Sequence, residues 1–583
     1  MTGDDDRRSP DLRVIRKPLD TVLEGMIEGQ DFFDGDGLQE AIAELACLYN
    51  GNRIAYERRR NELQGFFGVG ITKDAIDADV KAFIDRNIPK LPKPDDDPVS
   101  ELIAIAKHEA VLWHNSLDDS YATFNRDGHL ENHKVTGGKF KRFLSVRYGA
   151  THETLIDGQP EPSYPKRQQL DEAIYQIHHH ALEGPEQTPR VRIWGRDTEV
   201  WIDLGSDDWS VVHATPDGWH VERRMSVPLI RGPAMKPLPI PERGGDIQEL
   251  REFVNVPDES DFTLLCGGIT TILNPFGNYH VILVSGPPGS AKTFIVRVIR
   301  DLTDPNEIDT RPPPREIRSL YHGASQTHVI GLENVQWVNE ELSDALCRLS
   351  TKTGYSERKL YEQGTEWMAK LHCSVIINGI PSNIAEAPDL RDRIITFRCE
   401  YLGDEVRSEE GLKRRLERIK PRLFGCICDG IVAALKLRGE HDADNDAAAE
   451  ALFGRWHTRF IDTVVWGEAA CRGMGFPPGA YVEAYKDNKL VTLREIADTE
   501  PICIGIRRLV AKHGRWQGYP AQLLAELQSY CVVPTEVWLG RKLGYFIPIL
   551  YQLHRIKITR NNRLHKDGNR NGIIIEVEPE PEQ

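Results

Sequence analysis

The chain has 583 residues, 40% of them apolar and 28% charged, with a formal net charge of −16. That length is too great for one hydrophobic core and predicts about three to five structural units. The composition is that of a soluble globular protein. The acidic balance excludes a uniformly basic nucleic-acid coat, and no apolar run approaches the length of a membrane span, so no membrane partner is expected.

The ten cysteines are scattered without a CxxC pair. They argue against a disulfide scaffold and fit a reducing cytoplasm, and the opening MTGDDDRRSPD does not read as a signal peptide. Cys426 and Cys428 read as part of a buried helix face, and His178–His180 as a solvated helix end rather than a zinc site.

In chain order, residues 1–12 are a polar, disordered tail. Residues 13–95 form a helical N-terminal domain, with LDTVLEGMIEG, LQEAIAELACLYN and DAIDADVKAFIDR spacing their apolar residues at helical intervals. KLPKPDDDP (90–98) is a linker, and 96–185 a mixed α/β accessory region. Between 186 and 245 the period shortens to that of strands (VRIWGRDTEVWIDLG, WSVVHAT, WHVERRMSV), followed by a proline-rich connector. Strand and helix alternate over 246–400, the pattern of an α/β unit with a mainly parallel sheet. Residues 401–485 are a helical subdomain, and 486–583 combine helices with a basic hairpin. No repeat of fixed period is present.

The most informative stretch is VILVSGPPGSAKT (281–293). An apolar strand, Val281–Val284, runs into a loop made of Gly286, Pro287, Pro288, Gly289, Ser290 and Ala291 and ending in Lys292-Thr293. Such a loop turns successive N–H groups onto a polyphosphate, its lysine reaches the β- and γ-phosphates, and its threonine hydroxyl coordinates Mg²⁺. ATP and Mg²⁺ are therefore the expected cofactors. Ala291 stands where the usual pattern has glycine, and an alanine is expected to be tolerated at a helix N-terminus.

Hydrolysis needs a strand ending in acids. THVIGLENVQWV (327–338) supplies Glu333 and Asn334, with Glu333 the second expected metal ligand. LHCSVIINGI (371–380) ends a buried strand at Asn378, placed to reach the γ-phosphate or its attacking water. PDLRDRIITF (388–397) carries Arg391 and Arg393, either of which could cross to a neighbouring subunit and stabilise transition-state charge. STKTGYSERKLYEQGTEW (350–367) suits a projecting hairpin whose Lys352, Arg358 and Lys359 would grip single-stranded DNA in a channel.

Near the C-terminus, RIKITRNNRLHKDGNRNG (555–572) sets six bases against one acid, Asp567. With the preceding helical segment, which bears Arg541 and Lys542, it has the outline of a winged helix. Lys557, Arg560, Arg563, Lys566 and Arg570 would lie on the backbone phosphates of duplex DNA.

The series G-P-P-G-S-A-K-T, V-I-G-L-E-N, the basic hairpin, I-I-N-G-I and D-L-R-D-R resembles superfamily-3 and related AAA+ helicases. It resembles most of all the ATPase half of phage and mobile-element primase-helicases, over roughly residues 100–575. The resemblance implies an AAA+ P-loop core between helical and β-rich N-terminal regions and a C-terminal winged-helix domain. It makes Lys292 and Thr293 the Walker A pair, Glu333 and Asn334 the Walker B end, and Asn378 sensor 1. Arg393 becomes the better arginine finger, and Arg422 a second sensor. It further implies a homo-oligomer, a hexameric ring translocating on DNA. No primase site is legible, so a separate chain would prime. Two other readings stay open: an ATP-switched DNA-binding initiator or loader, and an ATPase subunit of an anti-phage defence system.

Overall fold

The computed structural model describes residues 97–579, apart from 157–158, 224–226, 359–365, 380–387, 404–407, 441–457, 531, 533–534 and 564–570, and a few positions between 45 and 81. The expectations for the tail, the helical N-terminal domain, Lys359, Lys566 and Arg570 lie outside the described residues, as do the side chains of Arg358 and Arg563. The chain divides into two compact units, Met1–Thr188 and Pro189–Gln583.

In the first unit, α1 (Pro98–Glu109) starts where sequence chemistry dictates. The Asp97 carboxylate accepts from the N–H groups of Val99 and Ser100, and Pro98 opens the first turn. The antiparallel strands β1 (Ala110–His114), β2 (Ser120–Arg126) and β3 (His129–Lys134) follow in sequential order. Next come α2 (Gly138–Gly149), the hairpin β4–β5 (Glu153–Ile156 and Gln159–Pro162) and α3 (Arg167–Leu182). Leu102, Ile105, Phe124, Phe140, Leu144 and Ile177 share one core. His178 does not end α3 in solvent, because its Nδ1 lies 2.8 Å from Ser120 Oγ.

The second unit opens with an antiparallel sheet of β7 (Ile193–Arg196), β8 (Glu199–Asp203), β9 (Val211–Thr215) and β10 (Gly218–Glu222), in the order β10-β9-β8-β7. The two-residue strands β6 (Arg190–Val191) and β11 (Leu229–Ile230) pair beside it. One face of the antiparallel sheet, with Ile193, Val200, Ile202, Val212 and Ala214, joins the main core. That core is centred on α4 (Glu259–Ile272), a helix buried along most of its length.

A parallel sheet follows, in the order β13-β16-β12-β17: β12 (Val281–Ser285), β13 (Val329–Val335), β16 (Ser374–Gly379) and β17 (Ile394–Arg398). Its strands are nearly continuous apolar runs because both faces are covered. Ile282, Val284, Ile376 and Phe397 face the main core, while Leu283, Leu332, Val375 and Ile377 face a second one. The intervening helices are α5 (Lys292–Thr303), α6 (Ile317–Ala324) and α7 (Glu340–Ser350), and the hairpin is β14–β15 (Gly354–Arg358 and Glu366–Lys370).

Among the described residues, the helices that follow share the main core. Leu423, Phe424 and Ile431 of α8 (Glu409–Glu440), Val464 of α9 (Ile461–Gly473) and Tyr481 of α10 (Ala480–Thr499) all pack with α4. A boundary at 485 falls inside α10. The far end of α10, with Ile496 and Ala497, contributes to the C-terminal core. That core is shared by α11 (Pro501–His513), β18 (Arg515–Gly518), α12 (Pro520–Gln528), α13 (Glu536–His554), β19 (Ile556–Arg563) and β20 (Asn571–Val577). The three strands form an antiparallel sheet in the order β18-β20-β19.

Candidate functional site

The strand that leads into the glycine-rich loop is central in the parallel sheet, flanked by β16 and β17. Its loop therefore opens at the carboxyl edge, the place where such sheets bind ligands. Gly286 and Gly289 hold φ of +154° and +80°. A side chain at Gly286 would strike the Cys399 carbonyl, 2.5 Å from an ideal Cβ. Ala291 is also left-handed, at φ +60°, so the tolerance expected of an alanine here comes with backbone strain that glycine would not carry.

The loop is braced from within and from without. Lys292 Nζ donates to the carbonyls of Gly286 and Pro287 at 2.8 and 2.7 Å, and Ser290 Oγ donates to the Pro287 carbonyl. Asn255 Nδ2 donates to the carbonyls of Ser290 and Glu400. Nothing in the sequence around Asn255 marks it, because its role depends on a tertiary contact. Pro287, Pro288 and Gly289 are exposed at the tip. By helix geometry the first N–H groups of α5 lack intrahelical partners and point toward this loop, where an anion is favoured.

Asn378 ends β16 in register with Val284, and its Nδ2 donates to Thr293 Oγ1 at 3.0 Å. Two motifs 85 residues apart thus meet at the mouth of the loop. Glu333 and Asn334 sit where the β13–β16 register shifts between Leu332 and Val335, and Asn334 has φ +54°. A bulge of this kind re-aims a side chain. Glu333 Oε2 accepts from Thr310 Oγ1 at 2.7 Å, and Glu333 N donates to the Arg311 carbonyl. Thr310, in the unremarkable run IDTRPPP, is a second contributor the sequence does not signal. The expected metal ligands, the Thr293 hydroxyl and the Glu333 carboxylate, are oxygen donors, which suits a hard cation such as Mg²⁺.

The arginines are arranged differently from the expectation. Arg393 is 7% exposed, and its guanidinium donates to the Asp389 carbonyl and lies 3.6 Å from the Asp389 carboxylate. It therefore faces its own chain. Arg391 is half-buried, and its carbonyl accepts from Lys489. The more exposed arginine of this cluster is Arg459, bound to Asp389 at 2.8 Å. Arg422 pairs with Glu249 at 2.8 Å.

Lys352 also departs from its expected place. It is a half-buried base at the root of the β14–β15 hairpin, held against the preceding chain. Its Nζ donates to the Pro275 carbonyl at 3.2 Å and lies 4.4 Å from the Tyr279 ring centroid. Burial, helped by Arg190, pulls its pKa down to about 6. Arg358 belongs to the strand that rises from that root.

In the C-terminal domain, Arg541 is exposed on α13, with Lys542 half-buried beside it. Lys557 is paired with Glu578, and Arg560 donates to the Gly540 carbonyl of α13 at 2.7 Å. Arg560 thus ties the strand to the helix. Arg563 lies at the far end of β19.

Residues 247–453 match the family model described as an actinomycete integrative conjugative element replication protein. The stretch includes the loop, Glu333, Asn378, Arg391 and Arg393 but ends before Arg459. No curated protein matches the chain. Among solved structures, the chain is similar to "The A form apo structure of NrS-1 C terminal region-CTR", at 13% identity and a TM-score of 0.37, covering 83% of this chain and 100% of that one. It is also similar to "SCCmec type IV Cch - active helicase", at 10% identity and a TM-score of 0.45, covering 81% and 93%. Among the described residues, no helix is long and apolar enough to cross a membrane.

Proposed function

We propose that this chain is an ATP-dependent DNA translocase or helicase that replicates an integrated mobile element, working as a homo-oligomeric ring, most simply a hexamer. The observation that carries the reading is the hydrogen bond from Asn378 to Thr293, which joins a polar strand end to the hydroxyl beside the loop lysine. The match of residues 247–453 to replication proteins of conjugative elements supports the biological setting.

In this reading the loop N–H groups and Lys292 bind the triphosphate, with Lys292 exchanging its two carbonyl acceptors for phosphate oxygens. Mg²⁺, held by Thr293 and Glu333, supplies charge neutralisation when bound. Asn378 orients the attacking water, and Glu333 accepts its proton as the bond from the γ-phosphorus to the ADP oxygen breaks. An arginine from the neighbouring subunit stabilises the charge that develops. Since Arg393 faces its own chain, Arg459 joins Arg391 and Arg393 as a candidate for this role. The hairpin carries single-stranded DNA, and the C-terminal domain, read as a winged helix, holds duplex DNA.

The reading of an ATP-switched initiator draws on one specific observation: the Glu333 carboxylate is already engaged by Thr310, which suits slow hydrolysis. A strand-displacement assay on forked DNA separates the two. The helicase reading expects unwinding with ATP that Lys292→Ala abolishes. Nucleotide-dependent DNA binding without unwinding supports the initiator.

A further inference from the structure

The outer face of the β7–β10 sheet carries a ladder of rings that plays no part in the nucleotide reading. Trp194, Trp201, His213 and His220 lie opposite one another across the four strands. Glu222, two residues beyond His220, projects to the same side because side chains alternate along a strand. Among the described residues, His213, His220 and Glu222 bring one ligand atom each to within 4.8 Å of one another. His220 Nε2 is 3.5 Å from Glu222 Oε2, and His213 Nδ1 is 3.9 Å from the same oxygen.

We propose that these three side chains form a divalent-metal site, for Zn²⁺ or a similar borderline cation, that clasps β9 to β10. Tetrahedral Zn²⁺ with bonds of about 2.0–2.2 Å places adjacent ligand atoms roughly 3.4 Å apart, so the two histidine–carboxylate edges, at 3.5 and 3.9 Å, are near closing distance. Two histidines and a carboxylate are a zinc donor set, and they leave the fourth position to water.

The surroundings fix the ligands as metal sites require. Trp201 Nε1 donates to Glu222 Oε1 at 3.2 Å, which leaves Oε2 for the cation. The Trp201 ring stacks on His213 at 4.4 Å and 10°, holding the imidazole plane. Glu199 Oε1 lies 3.8 Å from His213 Nε2, the nitrogen turned away from the cation. It adds negative charge beside the imidazole, which favours a bound cation. The opposite face of the same strands is core, and Trp219 Nε1 donates to Asp429 of α8 at 2.7 Å. A clasp here therefore stiffens a sheet anchored to the main core.

The test is a Co²⁺ titration of the full, untagged chain, followed by back-titration with Zn²⁺. The expected result is one Co²⁺ per chain with the visible bands of a tetrahedral centre, bleached by Zn²⁺. His220→Ala should abolish the bands. Its side chain is 60% exposed, so its loss leaves the fold intact, which far-ultraviolet circular dichroism verifies. Glu222→Gln keeps an acceptor for Trp201 yet should weaken binding at least tenfold. Glu199→Gln and Trp201→Phe should weaken it about 10- to 100-fold. Zn²⁺ should raise the melting temperature of the wild type and leave that of His220→Ala unmoved. Absence of tetrahedral bands, or bands that persist in His220→Ala, overturns the proposal and leaves the ladder a packed set of rings.

Discussion

Asn378 Nδ2 and Thr293 Oγ1 are 3.0 Å apart, so the end of β16 directly addresses the first turn of α5. In the proposed mechanism this amide orients water while the hydroxyl holds the metal. Asn378→Ala should therefore retain ATP binding and lower turnover by roughly 100-fold, the scale of losing one oriented transition-state donor. Thr293→Val should lose Mg²⁺-dependent binding. Combining the two should cost less than the sum of their separate effects, because they touch. Turnover and nucleotide affinity measured for all three proteins decide it, and strict additivity would place the two side chains in independent roles.

Ala291 offers a second test. A left-handed alanine costs about 1–2 kcal/mol, and glycine's greater unfolded-state freedom takes back about 0.4–1 kcal/mol. Ala291→Gly should thus stabilise the protein by about 0.5 kcal/mol and keep ATP binding. Ala291→Val adds a β-branched side chain at φ +60° and should destabilise both the loop and nucleotide binding. Chemical denaturation and nucleotide titration of the two variants read out the difference; equal effects would mean that the backbone here relaxes.

The contrast between these two sites shows what the sequence made legible. The strands that carry the loop, Glu333 and Asn378 are legible because each is an apolar run of the kind a buried parallel strand accommodates. The meeting of Asn378 with Thr293 follows from β12 lying beside β16. Asn255 and Thr310 were invisible because their roles rest on contacts with residues 35 and 23 positions away, in segments without periodicity. The partners of Lys352 and Arg393 within the chain are not legible for the opposite reason. A basic residue in a polar run reads as surface, yet a long aliphatic stem allows either cation to be drawn under its neighbours. The helices after residue 401 were legible as helices. That they share the core of α4 was not, since apolar spacing marks a buried face without naming its partner.

Arg192 is fully buried, and its Nε donates to Asp304 Oδ1 at 2.9 Å. Asp304 also accepts from Thr327 Oγ1 and from the N–H groups of His328 and Val329. Asp304→Ala strands a buried guanidinium and should cost roughly 3–5 kcal/mol. Arg192→Met leaves Asp304 with its other donors and should cost less. Burial opposes the Asp304 charge, but Arg192, His328 and Arg300 hold its pKa below the usual carboxylate range. Its contribution is therefore complete above the unfolded value near 4 and is lost as pH falls through the lower folded value. Acid-unfolding curves should shift to higher pH in Arg192→Met; an unshifted midpoint would rule out this linkage.

Lys352 predicts the same sign of slope in a higher pH window. Unfolded, it keeps its proton to about pH 10, whereas the folded chain releases it near 6. Between those values the unfolded state holds the extra proton, so stability should rise with pH. Lys352→Met fills the same space without charge and should flatten that rise. Denaturation series from pH 6 to about 9 for the two proteins test it, and parallel curves would show that Lys352 stays protonated in the fold.

Two of the C-terminal bases have partners within the domain, which sets their expected effect apart from that of the others. Arg560 reaches the Gly540 carbonyl, and Lys557 is bound to Glu578. Arg560→Ala should therefore loosen the strand from α13 and lower the domain's stability, with little change in the salt dependence of duplex binding. Arg563, Lys566 and Arg570 are the bases proposed to meet phosphate. Their joint replacement by alanine should weaken binding about equally for different duplex sequences, because phosphate contacts carry no base information. It should also make the slope of log affinity against log salt shallower by about 0.9 for each phosphate no longer neutralised. ATP turnover without DNA should be unchanged, since the strands β19 and β20 belong to a core distinct from the one that holds the loop. Affinities measured across a salt series for both variants separate the groups. An unchanged slope in the triple variant would remove phosphate binding from this hairpin and move the duplex contact to Arg541 and Lys542 on α13.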